Sequence, residues 1–267
     1  MKYKKIGIIS SDNKQAELRK KQLIKEYNLI DLKLDSKTKF EACDLIIALG
    51  GDGLMLHLLH LIEGKNIPVY GINFGTVGFL MNSDAEKNSG KNNLIAKISK
   101  ANKSVLTPLK MIATDDKNKK HKLLAINEVA LLRQKHQAAK IKISVNGKTR
   151  IETLAADGVL VATSAGSTAY NLSLRGPIIP VDSKILALTP IAPFRPRNWR
   201  GALLPANSKI KFTILDSANR PVSATADYNE VRNVKEVEVV EDKDHQFTIL
   251  FDENHSLEER IIGEQFL

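Results

Sequence analysis

The succession of apolar runs, helical stretches and turn residues predicts an α/β amino-terminal domain with a parallel sheet. A β-rich, antiparallel and sandwich-like carboxyl-terminal domain should follow it. Three observations carry this prediction. Up to residue 103, short apolar runs alternate with helical stretches, as in a parallel sheet covered by helices. Beyond it, alternating strands recur around turn residues with few helices between them. The chain of 267 residues, 43% hydrophobic and 26% charged, also exceeds the common size of one domain and can bury full cores without staples. The expected division is 1–103 for the α/β domain, 104–250 for the β-rich domain and 251–267 for a closing helical tail.

The apolar run 5–9 is a strand, and 15–26 has helix-forming content without Gly or Pro. Residues 43–49 form a second, buried strand that runs straight into Gly50-Gly51-Asp52-Gly53. A helix over 54–62 follows, stopped near Gly64 and Pro68, and a third strand over 67–72 ends in Asn73-Phe74-Gly75-Thr76-Val77-Gly78. In the second half, 141–145 and 148–153 flank Asn146-Gly147, a hairpin signal whose turn takes positive φ. Alternation over 209–215, 234–240 and 246–251 predicts further antiparallel strands, interrupted by one helix from Ser167-Thr168. Ser256-Leu257-Glu258-Glu259 is a capping box, so 257–262 is expected as a short helix stopped at Gly263.

Forty Lys and Arg against 30 Asp and Glu give a formal charge of +10. The lysines are scattered and often stand beside acids, which makes a solvated cationic surface rather than a nucleic-acid tail. Cys43 is the only cysteine, so an internal disulfide and a multi-cysteine zinc site are excluded. The start lacks the long apolar stretch and cleavage site of a signal peptide. No window approaches the roughly 20 apolar residues of a membrane helix. The expectation is a cytoplasmic protein with neither nucleic acid nor membrane as partner.

Gly50-Gly51-Asp52-Gly53 stands where a buried strand becomes a helix. Glycine lets backbone approach a ligand, and the amides of such a turn, with the positive end of the helix, attract anions. A carboxylate among them suits contact with a metal ion or an attacking hydroxyl beside a phosphate, and equally suits plain helix capping. The turn is neither a P-loop nor a dinucleotide fingerprint. The second bend, Gly75 to Gly78, is weak alone. Two such bends at the carboxyl ends of neighbouring strands carry more, because ligands of open α/β sheets bind at that edge.

In the second half, Asn127-Glu128 interrupts the apolar run 123–132, which predicts a polar pair needing partners, either a ligand or a buried structural group. Asp157-Gly158 precedes another apolar strand, which leads into Thr163-Ser164-Ala165-Gly166-Ser167-Thr168-Ala169-Tyr170. The hydroxyls there either cap a helix or face a ligand, and Tyr170 has a flat face for stacking on a base or ribose. His57 and His60 share a helix face but have no third ligand nearby in sequence, so no dedicated metal site is expected. The basic stretch around Trp199 suits a surface or subunit-contact loop, with nucleic-acid or phosphate binding by Arg contact and stacking as the alternative.

Taken in order, Gly50 to Gly53, Asn73 to Phe79, Asn127-Glu128, Asp157-Gly158 and Gly166 to Tyr170 resemble the NAD kinase family, of bacterial type. The similarity covers nearly the whole chain, continuing through 188–193 to Ala226-Asp227. The Gly-Gly-Asp-Gly turn is shared with lipid and sugar kinases; its pairing with Gly-Ser-Thr-Ala-Tyr is the more specific feature. The resemblance implies an NAD kinase-like fold with the site between its domains, a homodimer or homotetramer, and Mg²⁺-dependent phosphoryl transfer from ATP or polyphosphate to the 2′-hydroxyl of the adenosine ribose of NAD.

By motif, the resemblance makes Asp52 the catalytic carboxylate and Gly51 and Gly53 the phosphate cradle, with Phe79 near the adenine. His57 departs from the pattern, standing where many members carry a basic residue facing the phosphates, and either serves there when protonated or only flanks a packed helix. It assigns Asn127 and Glu128 to NAD, and Asp157, Thr168, Ala169, Tyr170, Asn171 and Ser173 to the dinucleotide pocket. Mg²⁺ would arrive on the donor phosphates. Leu54 replaces a common Thr, Ser164-Ala165 replaces a usual proline-containing pair, and Ala155 stands where some members carry Arg; these departures bear on donor preference. The rival readings are a lipid or sugar kinase, which leaves Asn127-Glu128 without a purpose, and a silent nucleotide- or RNA-binding module, against which Asp52 speaks.

Overall fold

The structure, a computed structural model, describes residues 3–35, 37–75, 78–83, 94–181, 183–253, 257–264 and 266. It divides into two compact units, 1–106 with 245–263, and 107–244 with 264–267.

The first unit begins with β1 (Ile6–Ser10), α1 (Lys14–Tyr27), β2 (Ile30–Asp31) and α2 (Lys37–Phe40). It continues with β3 (Leu45–Gly50), α3 (Asp52–Leu61), β4 (Val69–Asn73), α4 (Leu94–Lys100) and β5 (Asn102–Leu106). Asn13 caps α1 by accepting from the amides of Gln15 and Ala16. β3 is buried along its whole length, as a central parallel strand covered on both faces must be. It pairs with β1 and β4 in parallel, placing Gly50 opposite Asn73.

The second unit holds β6 (Leu109–Asp115), β7 (Lys120–Ala125), β8 (Glu128–Arg133), β9 (Ala139–Val145), β10 (Lys148–Ala156) and β11 (Gly158–Ala162). After a 3₁₀ turn (Ala165–Thr168) come the one-turn helix α5 (Tyr170–Ser173), β12 (Ile185–Ile191), β13 (Ala202–Pro205), β14 (Ile210–Leu215), β15 (Val222–Ala226), β16 (Asn229–Val231) and β17 (Val234–Glu241). They form two six-stranded antiparallel sheets, β10-β9-β14-β17-β6-β7 and β13-β12-β11-β8-β15-β16. One core cluster draws Ile141, Ile143, Phe212 and Val237 from the first sheet and Val129, Leu131, Val159 and Ala224 from the second, which makes a sandwich. Asn146 and Gly147 take φ of 52° and 76°, the turn that the hairpin sequence calls for.

The chain then returns to the first unit. β18 (Phe247–Phe251) runs parallel to β4 and antiparallel to β5, completing the sheet β2-β1-β3-β4-β18-β5. The alternation over 246–251 had pointed to the antiparallel second domain. Alternation reports half-burial, not which sheet a strand joins. The last helix, α6 (Leu257–Glu264), continues through Gly263; Ser256 of the expected capping box lies outside the described residues. Leu257 and Ile261, one turn apart, are buried.

Two further expectations are corrected. Residues 123–132 are not one strand: the chain bends at Ile126 and Asn127 and passes from β7 in one sheet to β8 in the other. The helix expected from Ser167 is only the 3₁₀ turn followed by α5, because Arg175 takes φ of 59° and Gly176 follows it immediately.

Candidate functional site

In the first unit, Gly50 and the start of the second bend, Asn73 to Gly75, lie side by side at the carboxyl ends of β3 and β4, where the Phe74 amide donates to the Gly50 carbonyl (2.7 Å); Thr76 and Val77 lie outside the described residues. Asp52 opens α3, with Gly51 as its extended N-cap. Its carboxylate accepts two amides just after the second bend, Phe79 N–H at Oδ2 (2.8 Å) and Leu80 N–H at Oδ1 (3.0 Å). Burial pushes the Asp52 carboxyl above its ordinary value; the two amides and then the Arg260 guanidinium pull it back. Each carboxylate oxygen keeps acceptor capacity beyond its one amide.

A Cβ placed on Gly51 or Gly53 would meet nothing within 4 Å. Neither residue has the positive φ for which glycine is favoured. Protein packing therefore does not account for these two glycines, and open backbone amides at a helix start are what an anion would use. His57 is half-buried on α3, and Phe79 gives its amide to Asp52.

The second unit gathers its polar residues where the chain changes sheets, between β7 and β8 and between β10 and β11. Asp227, in the turn between β15 and β16, accepts the amides of Ile126 (2.7 Å), Asn127 (2.9 Å) and Glu128 (3.2 Å). The Thr163 hydroxyl donates to the Ile126 carbonyl (2.7 Å) and accepts the Gly166 amide (3.0 Å). The Asn127 carbonyl accepts the Thr163 amide (2.9 Å), so Asn127 is pinned from both sides. The Glu128 carboxyl is pushed up to about 8, first by burial and then by the Asp227 charge. Its Oε2 is buried and has no hydrogen-bond partner among the described residues, which points to a ligand contact.

Asp157 is held by Arg133 (Nε–Oδ1 2.5 Å, Nη2–Oδ2 3.4 Å), and the pair is partly exposed. Thr168 is buried in the 3₁₀ turn, Ala169 follows it, and Tyr170 packs part of its ring against the cluster of Ala130, Leu160 and Ala187. Ser173 is exposed at the end of α5. Asn171, expected in the dinucleotide pocket, lies inside the turn. It is fully buried, donates to Ser167 O (3.2 Å) and Pro177 O (2.9 Å), and accepts the Thr189 hydroxyl (2.7 Å). Its side chain holds the turn.

Thr163, Arg133 and Arg260 carry no sign in the sequence of their supporting contacts, and Asp227 stands there only as the end of a motif. An Asp at a left-handed turn position (φ 51°) is the one local signal among them.

Residues 6–99 match the ATP-NAD kinase N-terminal domain and residues 126–250 the ATP-NAD kinase C-terminal domain. An NAD kinase of Caulobacter vibrioides is 52% identical, covering 85% of each chain. One of Xylella fastidiosa is 47% identical over 98% of this chain and 96% of its own. Among solved structures, an NAD kinase from Archaeoglobus fulgidus in complex with ATP superposes with a TM-score of 0.77 at 23% identity, covering 98% of each chain.

Proposed function

The chain belongs to the ATP-NAD kinase family, and from that premise we propose that its transfer of the terminal phosphoryl group of ATP to NAD depends on the carboxylate of Asp52. The observation that carries this is a carboxylate fixed by two amides beside glycine backbone that packing leaves open. Phosphoryl transfer passes through a loose transition state, so placement and charge neutralisation outweigh base strength. The ribose 2′-oxygen attacks the terminal phosphorus, the bond to the bridging oxygen breaks, and ADP leaves. Asp52 orients the hydroxyl and accepts its proton late.

Gly51 and Gly53 supply amides to the donor phosphates, with His57 nearby when protonated, and Phe79 lies close to the adenine. Asn127, Glu128, Asp157, Thr168, Ala169, Tyr170 and Ser173 serve the dinucleotide, while Asn171 supports their turn. A single carboxylate with acceptor capacity left fits a hydrated Mg²⁺ that arrives on the phosphates and keeps several waters. That ion would supply charge neutralisation. The same open turn suits polyphosphate as an alternative donor.

The proposal extends to a homodimer or homotetramer, supported by exposed Phe194 and by exposed Leu203 on the edge strand β13. It also extends to a cytoplasmic location; among the described residues no helix is long and apolar enough to cross a membrane. The test is an assay of purified protein with NAD, ATP and Mg²⁺, following NADP with a dehydrogenase specific for it. Asp52→Asn is expected to lose turnover by about 100-fold or more and to keep NAD binding in calorimetry. Equal loss of both would make Asp52 a binding or folding residue.

A further inference from the structure

One peptide group, Gly78–Phe79, is held at both ends. Its N–H donates to Asp52 Oδ2 (2.8 Å), and its carbonyl accepts Arg260 Nη1 (2.7 Å). The same Nη1 also donates to the Met81 carbonyl. Arg260 therefore brackets the two residues, Phe79 and Leu80, whose amides grip Asp52.

The guanidinium is itself fixed. It lies 5.7 Å from the centroid of the Phe251 ring, at the end of β18. It is carried on α6, whose Leu257 and Ile261 are buried. The loop it holds is tied back at Asn82, which is fully buried, donates to Gly71 O and Leu250 O (2.9 Å each), and accepts the Asp252 amide (2.9 Å). Asp52 from α3 and Asp252 after β18 both act on Arg260 by charge.

We propose that Arg260 is a positioning residue for phosphoryl transfer: it fixes the Gly78–Phe79 peptide and the Leu80 amide so that the Asp52 carboxylate keeps one orientation. A cation on the Gly78 carbonyl polarises that peptide and makes the Phe79 N–H a stronger donor to the carboxylate. The guanidinium also opposes the cost of keeping Asp52 ionised while buried. Arg260 touches neither substrate in this scheme and acts through the loop. The inference rests on the reading of Asp52 as the catalytic carboxylate.

The experiment compares Arg260→Met, Arg260→Gln and Arg260→Lys with the parent and with Asp52→Asn, recording kcat, both KM values, the pH profile of kcat and the thermal midpoint. Arg260→Met should lower kcat by about 10- to 100-fold, the scale of a small misplacement of a reacting group, with the KM for NAD nearly unchanged. The acid limb of its kcat profile should move to higher pH, because Asp52 loses amide grip and a nearby cation. Arg260→Lys should recover part of the rate and of the limb, and Arg260→Gln should recover less. An unchanged kcat and acid limb in folded Arg260→Met, with Asp52→Asn inactive, overturns the positioning role alone. Should Arg260→Met not fold, the same two readouts unchanged in folded Arg260→Gln overturn it. Full turnover in Asp52→Asn overturns the reading beneath it.

Discussion

Gly166 lies so close to Asn127 that a Cβ at 166 would strike the Asn127 carbonyl oxygen, its carbonyl carbon and its Cα. The obstacle is backbone, its Asn127 carbonyl held by Thr163 and its amide by Asp227, not the movable end of a side chain. Gly166 needs to be glycine because nothing larger fits between the turn and the Asn127 bend. Gly166→Ala should cost about 3 kcal/mol, the upper end for overpacking against something that cannot yield. Urea unfolding would show it, with weakened NAD binding in calorimetry; an unchanged midpoint would mean that the bend moves freely.

The Glu128 carboxyl titrates near 8 in the fold, above its ordinary 4.5, because burial and then the Asp227 charge disfavour ionisation. A carboxyl raised in the folded state contributes stability below its unfolded value, and that contribution is lost as pH climbs through the folded value. The chain should therefore lose a few kcal/mol of stability between about pH 5 and pH 8 relative to Glu128→Gln, which stays neutral throughout. Parallel denaturation curves for the two proteins over that range would rule this out. At neutral pH the protonated carboxyl can donate a hydrogen bond to a ligand oxygen, so Glu128→Gln should keep more NAD affinity than Glu128→Ala.

The parallel half was legible because burial on both faces leaves a continuous apolar run, and two glycine bends then mark one edge of the sheet. The change of sheet at Asn127 was not, since residues 123–132 are apolar on both sides of it and carry no break in pattern. The polar pair is the only local trace, and from sequence it reads as an interruption within one strand. Local alternation alone assigns Phe247–Phe251 to the wrong sheet, because pairing with β4 is a contact across far more chain than any local pattern spans. Arg260 had no local sign at all, being one cation on a short terminal helix, and its meaning comes from two carbonyls about 180 residues away. Asp52 could be singled out because an acid among glycines at a strand end is locally odd.

Arg133 and Asp157 form a pair that remains partly in water. Exposed pairs contribute about 1 kcal/mol or less. Arg133→Met should accordingly leave the unfolding midpoint almost unchanged. Its effect should fall on NAD affinity, because Asp157 loses the group that orients it. Loss of stability well beyond that figure, with affinity intact, would make the pair a structural clamp instead.

Gly53 presents the opposite case from Gly166. It sits in the first turn of α3, exposed, with nothing within 4 Å of where a Cβ would stand. Alanine there should be tolerated by the fold and should stabilise the helix by about 0.5–1 kcal/mol, since glycine is a poor helix former. If the open space is where donor phosphate approaches the backbone, the added methyl group obstructs it. Gly53→Ala should thus unfold at the same or higher urea concentration while its KM for ATP rises about 10-fold, the loss of one charge-assisted amide contact. Steady-state kinetics with ATP varied at saturating NAD provide the measurement. A stabilised variant with an unaltered KM would remove the phosphate from this turn, and with it the reason for a glycine at this position.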